Sequence, residues 1–415
     1  MNHHVGEARR PRGRLAAGAF ALAAAAALSA PGRAHAQASP WSYNQNLHLT
    51  YEFDDNVNEA TGGAVNLAHS DPIRAQVAKL SYLGDLEWGG GEQRLSFNFH
   101  GGYKRHFGLG AESRTDAGEG EEQETATVEI ASQIVGEGSL VYRRNITDDL
   151  AVSGRVGIKN RHWLRDEEDE NEIFFINEDA FFRVTSGASA IVNLDPLLPG
   201  RPAWIEVGVR YSDIEFENLD PHFGNRAVGG HVLLTREYGS GIQATWSYSL
   251  DRHRFPGRGV YTPEDTDPAN IFRGITRPRQ EDRLHDLGME VRWFGRLGVV
   301  AEYRYRYNDS NSFGFSWYSH NVRLQLVHPL PWGMLAQAYG ALELRSFTEP
   351  VPKGTQAGSL DLGEAENNVL LFEVVKDVTP SYSVVARYAR YRNESITLND
   401  FYSKNIYAVG VTYRP

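Results

Sequence analysis

The chain has 415 residues, a formal net charge of −11, 41% hydrophobic residues and no cysteine. The absence of cysteine excludes disulfide staples, Cys-ligated zinc and thiol chemistry. The acidic balance excludes a basic surface for nucleic acid.

At the N-terminus, Arg9, Arg10, Arg12 and Arg14 precede an Ala-rich apolar run from Leu15 to Ala30, and Ala34-His35-Ala36 offers an A-x-A cleavage site. This order is that of a secretory signal peptide, so residues 1–36 are expected to be removed and 37–415 to form a single domain. The apolar run is too short and too rich in Ala for a membrane span of ~20 residues. No Cys follows it, which rules out an N-terminal lipoprotein anchor. Nothing after residue 36 approaches a transmembrane helix.

From Trp41 onward the chain reads as strand after strand of alternating apolar and polar residues. Sixteen strands are predicted, near 41–56, 73–88, 93–107, 124–145, 149–164, 173–193, 203–217, 226–238, 241–252, 282–294, 297–309, 314–328, 333–347, 366–377, 381–393 and 403–414. The segments 124–145 and 173–193 are long enough to hide a further break, so 14 or 18 strands stay open. Ile242, Ala244, Trp246, Tyr248 and Leu250 share one face, and Gln243, Thr245, Ser247, Ser249 and Asp251 share the other. A soluble β-sandwich would alternate too, but with more Val, Ile and Leu and fewer Tyr and Trp on its apolar face.

The connections alternate in length. Tight, turn-rich ones include Gly89-Gly90-Gly91, Thr147-Asp148-Asp149, Asp195 to Pro202, Gly239-Ser240-Gly241, Gly295-Arg296, Pro329 to Gly333 and Thr379-Pro380-Ser381. Between them lie the longer ones near 57–72, 108–123, 165–172, 218–225, 253–281, 310–313, 348–365 and 394–402. Both alternations together predict an all-β fold, a transmembrane antiparallel up-and-down β-barrel of the outer membrane, with short turns on the periplasmic rim.

Such a barrel has an inward face. The two-residue period puts Arg155, Lys159, Arg161, Arg210, Arg292, Arg304, Arg306, Arg323, Arg345 and Arg387 there, with Glu129, Glu206, Glu290, Glu302, Glu343 and Glu373. Of these, Arg155, Lys159, Arg210, Arg292, Arg304, Arg306, Arg323, Arg345, Glu206, Glu290, Glu302 and Glu343 are the candidate pore-lining residues. They would select hydrophilic solutes by their field, or stiffen the wall as cross-strand ion pairs. The Arg-rich strands 297–309 and 381–393 would favour anionic sugars or acids. The Pro- and Gly-rich 253–281 connection is the longest and is the candidate gate. The acidic runs 112–124 and 166–172 lack the spacing of a calcium loop and read as solvated loops.

No catalytic residue, metal site or cofactor is expected. His100, His106, His162, His222, His231, His253 and His320 are scattered, and no G-x-S-x-G or H-E-x-x-H element occurs. A barrel enzyme acting on lipid A or phospholipid is the rival class.

Two stretches carry resemblances. Tyr51-Glu52-Phe53-Asp54-Asp55-Asn56-Val57-Asn58 resembles the end of the first strand in outer-membrane β-barrel porins encoded with exopolysaccharide machinery, and in the barrel domains of surface-lipoprotein assembly modifiers. The short stretch between Gln37 and the first strand departs from the modifiers, which carry a helical-repeat domain. Gly410 to Arg414 resembles the C-terminal signal read by the barrel assembly machinery, although the chain ends in Pro415 rather than an aromatic residue. The resemblances imply a porin-like channel in contact with outer-membrane lipid, lipopolysaccharide and that machinery. A hydrophilic solute or polysaccharide would be its cargo. A partner-gated component of export or assembly is the alternative.

Overall fold

The computed structural model describes residues 41–55, 74–90, 92–108, 132–164, 181–197, 200–216, 224–262, 278–349, 368–393 and 402–415. The predicted signal segment, both acidic runs and the centre of the 253–281 connection lie outside them.

The strands are β1 (Trp41–Asp54), β2 (Ala75–Gly90), β3 (Gln93–Gly108), β4 (Ser132–Asn145), β5 (Leu150–Leu164), β6 (Phe181–Asn193), β7 (Ala203–Phe216), β8 (Asn225–Tyr238), β9 (Ile242–Gly259), β10 (Arg279–Phe294), β11 (Gly298–Ser310), β12 (Trp317–Leu330), β13 (Met334–Phe347), β14 (Asn368–Thr379), β15 (Tyr382–Asn393) and β16 (Tyr402–Tyr413). Each pairs antiparallel with its sequence neighbours, and β1 closes on β16, so the sheet is a closed up-and-down barrel. Followed once round, the pairing returns to β1 displaced by about 20 residues. With sixteen strands this shear fixes a tilt of about 40° and a backbone radius of about 16 Å, too wide for wall side chains to fill.

The predicted strands differ from these mainly at their ends. The described parts of the two long segments begin at Ser132 and Phe181. One expectation needs correction. Residues 253–259 and 279–281 are strand, not loop: β9 runs 18 residues, through Pro256, and pairs with β10 as far as Arg279↔Gly259. A register shift between Arg279 and Gln280 lets the strand pass Pro256, which has no N–H to give to a regular ladder. Similarly, Pro329 lies in β12 opposite Leu335, next to the rim.

The short connections share one rim. Two of them, at Ser240-Gly241 (φ 68° and 74°) and Trp332-Gly333 (φ 62° and 70°), use successive left-handed residues, which match the right-handed twist of the flanking strands. Gly241 is required there, because a Cβ would sit 2.7 Å from the Phe294 carbonyl oxygen.

The seam between β1 and β16 pairs only Leu47–Asp54 with Ile406–Tyr413, whereas β2 covers all of β1. Asp55 extends this short seam. Its amide donates to the Asn405 carbonyl (3.2 Å), and its carboxylate accepts from the Asn405 amide (2.6 Å) and side-chain Nδ2 (2.8 Å). Next to it, buried Glu52 pairs with Lys79 at 2.7 Å. Within the described part of the Tyr51–Asn58 stretch, Asp55 is thus a latch that joins the first strand to the last. Asp55→Ala should cost about 2 kcal/mol of barrel stability, read as a lower urea midpoint of the detergent-folded protein; an unchanged midpoint would mean that the seam closes without the latch.

Candidate functional site

The pairing assigns every strand residue to one of two faces. One face exposes large apolar groups on nearly every strand, among them Leu49 (58%), Val209 (63%), Val228 (61%), Leu287 (57%) and Val409 (59%). On it, Tyr248 donates to or accepts from His285 Nδ1 at 3.0 Å, and Tyr303 meets His320 Nδ1 at 2.8 Å, so His320, one of the scattered histidines, sits among tyrosines on the outside, as does His285. The opposite, concave face carries the charges of the strand interiors. Charged residues of the convex face, such as Arg226 with Asp213 and Arg252 and Arg254 with Glu281, lie toward the strand ends. The concave curvature brings side chains two strands apart within reach: Arg210 on β7 forms a two-pronged pair with Asp251 on β9 and donates to Ser249 at 2.9 Å.

All twelve candidate residues lie on this concave face in register. Most are paired. Arg304 bonds Glu302 and lies 3.5 Å from Asp286; Arg306 reaches the same Asp286 at 3.3 Å; Arg323 lies 3.7 Å from Glu302. Arg292 pairs with Glu290 (2.6 Å), Arg345 with Glu343 (2.9 Å), and Arg387 with Glu373 (2.5 Å). Glu206 lies 3.5 Å from His231. Lys159 stands 3.8 Å from Glu137. Arg155 has no ion-pair partner among the described residues. The wall over β9–β15 is therefore a neutralised network, and the Arg-rich strand β11 is part of it. Arg390 and Arg392 of β15 alternate to the outer face, leaving only Arg387 of that strand inside, held by Glu373.

Glycine makes this network possible. Several inward positions have no room for a side chain because a neighbour lies flat over them. A Cβ on Gly229 would meet Asp251 Oδ1 at 1.9 Å, on Gly208 the His231 ring at 2.5 Å, and on Gly288 the Ser247 hydroxyl at 2.4 Å with Arg304 Cγ at 3.4 Å. The sequence reading missed these positions, because an inward glycine shows its purpose only once the neighbour across the strand pair is known.

It also missed a ledge at the long-loop rim. Residues 311–316 fold over the inner side of β10–β12. Asn308 Nδ2 donates to Asp282 Oδ2 (3.1 Å) and to the Phe315 carbonyl (3.0 Å), while Ser310 and Gln280 donate to Asp282 Oδ1 (2.6 and 3.1 Å). Phe315 (3% exposed) packs on Tyr261 (7%), flanked by Phe313 and Phe347. Tyr261 donates its amide to Ser312 Oγ at 2.9 Å and its carbonyl accepts from Phe313 at 3.0 Å. The root of the predicted gate segment is thus fastened to this ledge at the mouth of the lumen.

Among the described residues no group of three or more His, Cys, Asp or Glu side chains is arranged to hold a metal ion.

No protein-family model matches the chain, and no curated protein matches it. Among solved structures it is similar to OpdK of Pseudomonas aeruginosa with vanillate (11% identity, 90% of this chain and 98% of that one, TM-score 0.41). It is also similar to OccAB1 of Acinetobacter baumannii (11%, 90% and 96%, 0.38) and to Salmonella typhi OmpF in complex with daunomycin (13%, 90% and 97%, 0.37).

Proposed function

We propose that the protein is an outer-membrane channel for passive passage of hydrophilic solutes. The observation that carries this reading is the division of the closed barrel into an apolar, aromatic-rich convex face and a charged concave one. A convex apolar band is stable against lipid, and closure leaves no unpaired strand edge in a medium without water. A sixteen-stranded barrel of this radius encloses more space than its wall side chains occupy. Charges that lie along the wall, over glycines, leave the axis to water and solute. Even strand number returns both ends of the described chain to the short-turn rim, the periplasmic one in bacterial barrels. The resemblance of Tyr51–Asn58 to exopolysaccharide-associated porins supports a finer reading, that the solute is a saccharide moving in export or uptake.

Single-channel recording of the detergent-folded protein in a planar bilayer tests this. Steady, open conductance is expected; a heat-modifiable barrel that stays silent would overturn passive transport and favour the partner-gated alternative.

The segment from Tyr261 is the proposed gate, since its root is pinned inside the mouth. The Val260 amide donates to the Pro278 carbonyl at 2.9 Å, so replacing 263–277 by a short Gly-Ser turn leaves β9 and β10 intact. This deletion is expected to raise single-channel conductance. Unaltered conductance would place the segment outside the conduction path.

A further inference from the structure

The cations of the concave face are not evenly matched by acids. On β4, β5 and β6 the inward positions include Arg143, Arg155, Lys159 and Arg183, beside Arg161, which packs over the Phe181 ring and is not counted with them. Among the described residues of these strands, Glu137 is the one inward carboxylate. It stands 3.8 Å from Lys159. Arg183 donates to the Ser212 hydroxyl at 3.2 Å and interacts with the charge of Glu137 without forming an ion pair, and among the described residues neither Arg143 nor Arg155 has a carboxylate partner. The adjoining strand β3 adds no inward carboxylate. On the next strand Arg210 leans away, toward Asp251.

The pairing gives this sector a definite shape. Lys159 lies directly opposite Arg183, Gly157 opposite Thr185, Arg155 opposite Gly187, and Ser153 opposite Ser189. Lys159 and Arg183 therefore form one end of a cradle, and Arg155 lies four residues, about 14 Å, along the strand from that end. The floor between them is two glycines and the Thr185 hydroxyl, which donates back to the Gly157 carbonyl at 3.4 Å. A Cβ on Gly157 would lie 2.7 Å from that hydroxyl, and one on Gly187 would lie 2.9 Å from the Val209 carbonyl. Ser153 and Ser189, 2.8 Å apart, continue the polar floor toward the short-turn rim, where Arg143 stands opposite Ser153.

Like charges placed directly opposite in a sheet destabilise it. On β2 and β3, where Lys79 stands opposite Lys104, Glu52 meets this cost by pairing with Lys79 at 2.7 Å. On β4–β6 one carboxylate, Glu137, is shared between Lys159 and Arg183, Arg155 has none among the described residues, and guanidinium groups beside hydroxyls suit carboxylate and phosphate oxygens. We propose that the β4–β6 sector is an anion track, binding and passing hydrophilic solutes that carry two or more carboxylate or phosphate groups. The transport half of this proposal rests on the channel reading above; the binding half does not. The unmatched cations also lie elsewhere than the Arg-rich sequence 297–309 suggests, because those arginines are already neutralised.

The test uses the full barrel and the variant Arg155→Gln/Arg183→Gln, whose folding is checked by heat-modifiable mobility. In a KCl gradient the wild type should favour chloride, and its current should be blocked by millimolar citrate. The variant should lose at least threefold in chloride-to-potassium permeability ratio and in citrate sensitivity. It should unfold at the same or higher urea concentration, since opposed like charges have been removed. Binding of the trisulfonated dye pyranine to the detergent-folded protein, read by fluorescence anisotropy, runs in parallel. An open channel with potassium preference, or a variant with unchanged selectivity and citrate block, overturns the anion track and leaves the channel standing. A silent barrel that binds pyranine, with binding lost in the variant and reversed by citrate, supports the site and overturns passive transport. A silent barrel without pyranine binding overturns both.

Discussion

Gly229→Ala should lower the stability of the folded barrel by about 3 kcal/mol, the upper part of the range for forcing atoms into a filled site. The new Cβ would stand 1.9 Å from Asp251 Oδ1 and 2.5 Å from the Leu250 carbonyl oxygen. The first contact could be relieved by moving Asp251, at the expense of its pair with Arg210. The second is with backbone and cannot be relieved without displacing β9. Two losses therefore combine: a shifted strand, and an Arg210 left without its partner. Urea unfolding of the detergent-folded protein reads the effect directly. Gly154→Ala is the matched control, since a Cβ there meets nothing within 4 Å, and its midpoint should stay within the scatter of surface changes. Equal midpoints for both variants would show that Asp251 does not lie across β8 in the folded protein.

Arg304→Glu/Arg306→Glu should produce the largest change in ion selectivity. Both arginines serve Asp286, and Arg304 also serves Glu302, which Arg323 approaches from the far side. Reversal of both charges sets four carboxylates on two adjacent strands, with Arg323 beside Glu302 and Arg210 acting on Asp286 as cations remaining near them. In a wide aqueous lumen such a cluster concentrates cations. The reversal potential in a KCl gradient should move clearly toward that of potassium, and the shift should shrink as ionic strength rises. Stability should fall as well. Asp286 and Glu302 each have 12% side-chain exposure, so they lose counter-ions in a partly desolvated site, whereas Arg304 at 37% is well screened. The net cost is about 3 kcal/mol, toward the low end for broken buried pairs. An unchanged reversal potential would remove these arginines from the conduction path.

These two variants probe different kinds of legibility. The β11 charges could be placed on the inner face from sequence, because Val299, Ala301, Tyr303, Tyr305 and Tyr307 alternate with Glu302, Arg304 and Arg306 at a period of two. Their neutralisation could not, because it needs Asp286 of β10 and the exact offset Asp286↔Arg306. Gly229 carries no such local signal, because its role depends on Asp251 of β9 lying across it.

The hairpin order, the alternation of short and long connections and the face of the charged residues follow from local chemistry, namely side-chain alternation and turn-forming residues. They were therefore set by the sequence itself, whereas the structure decided for sixteen strands over 14 or 18. The strand reading erred where local cues mislead, as at Pro256, which a bulge at a paired strand end accommodates. The closing seam latched by Asp55 and Asn405, the ledge at 311–316 and the unmatched cations of β4–β6 were decided by tertiary structure. Each depends on which residue stands opposite which, and on side chains that reach across a neighbouring strand or across the 350 residues separating the two ends of the barrel. Register and curvature determine those distances, and no local window of sequence contains them.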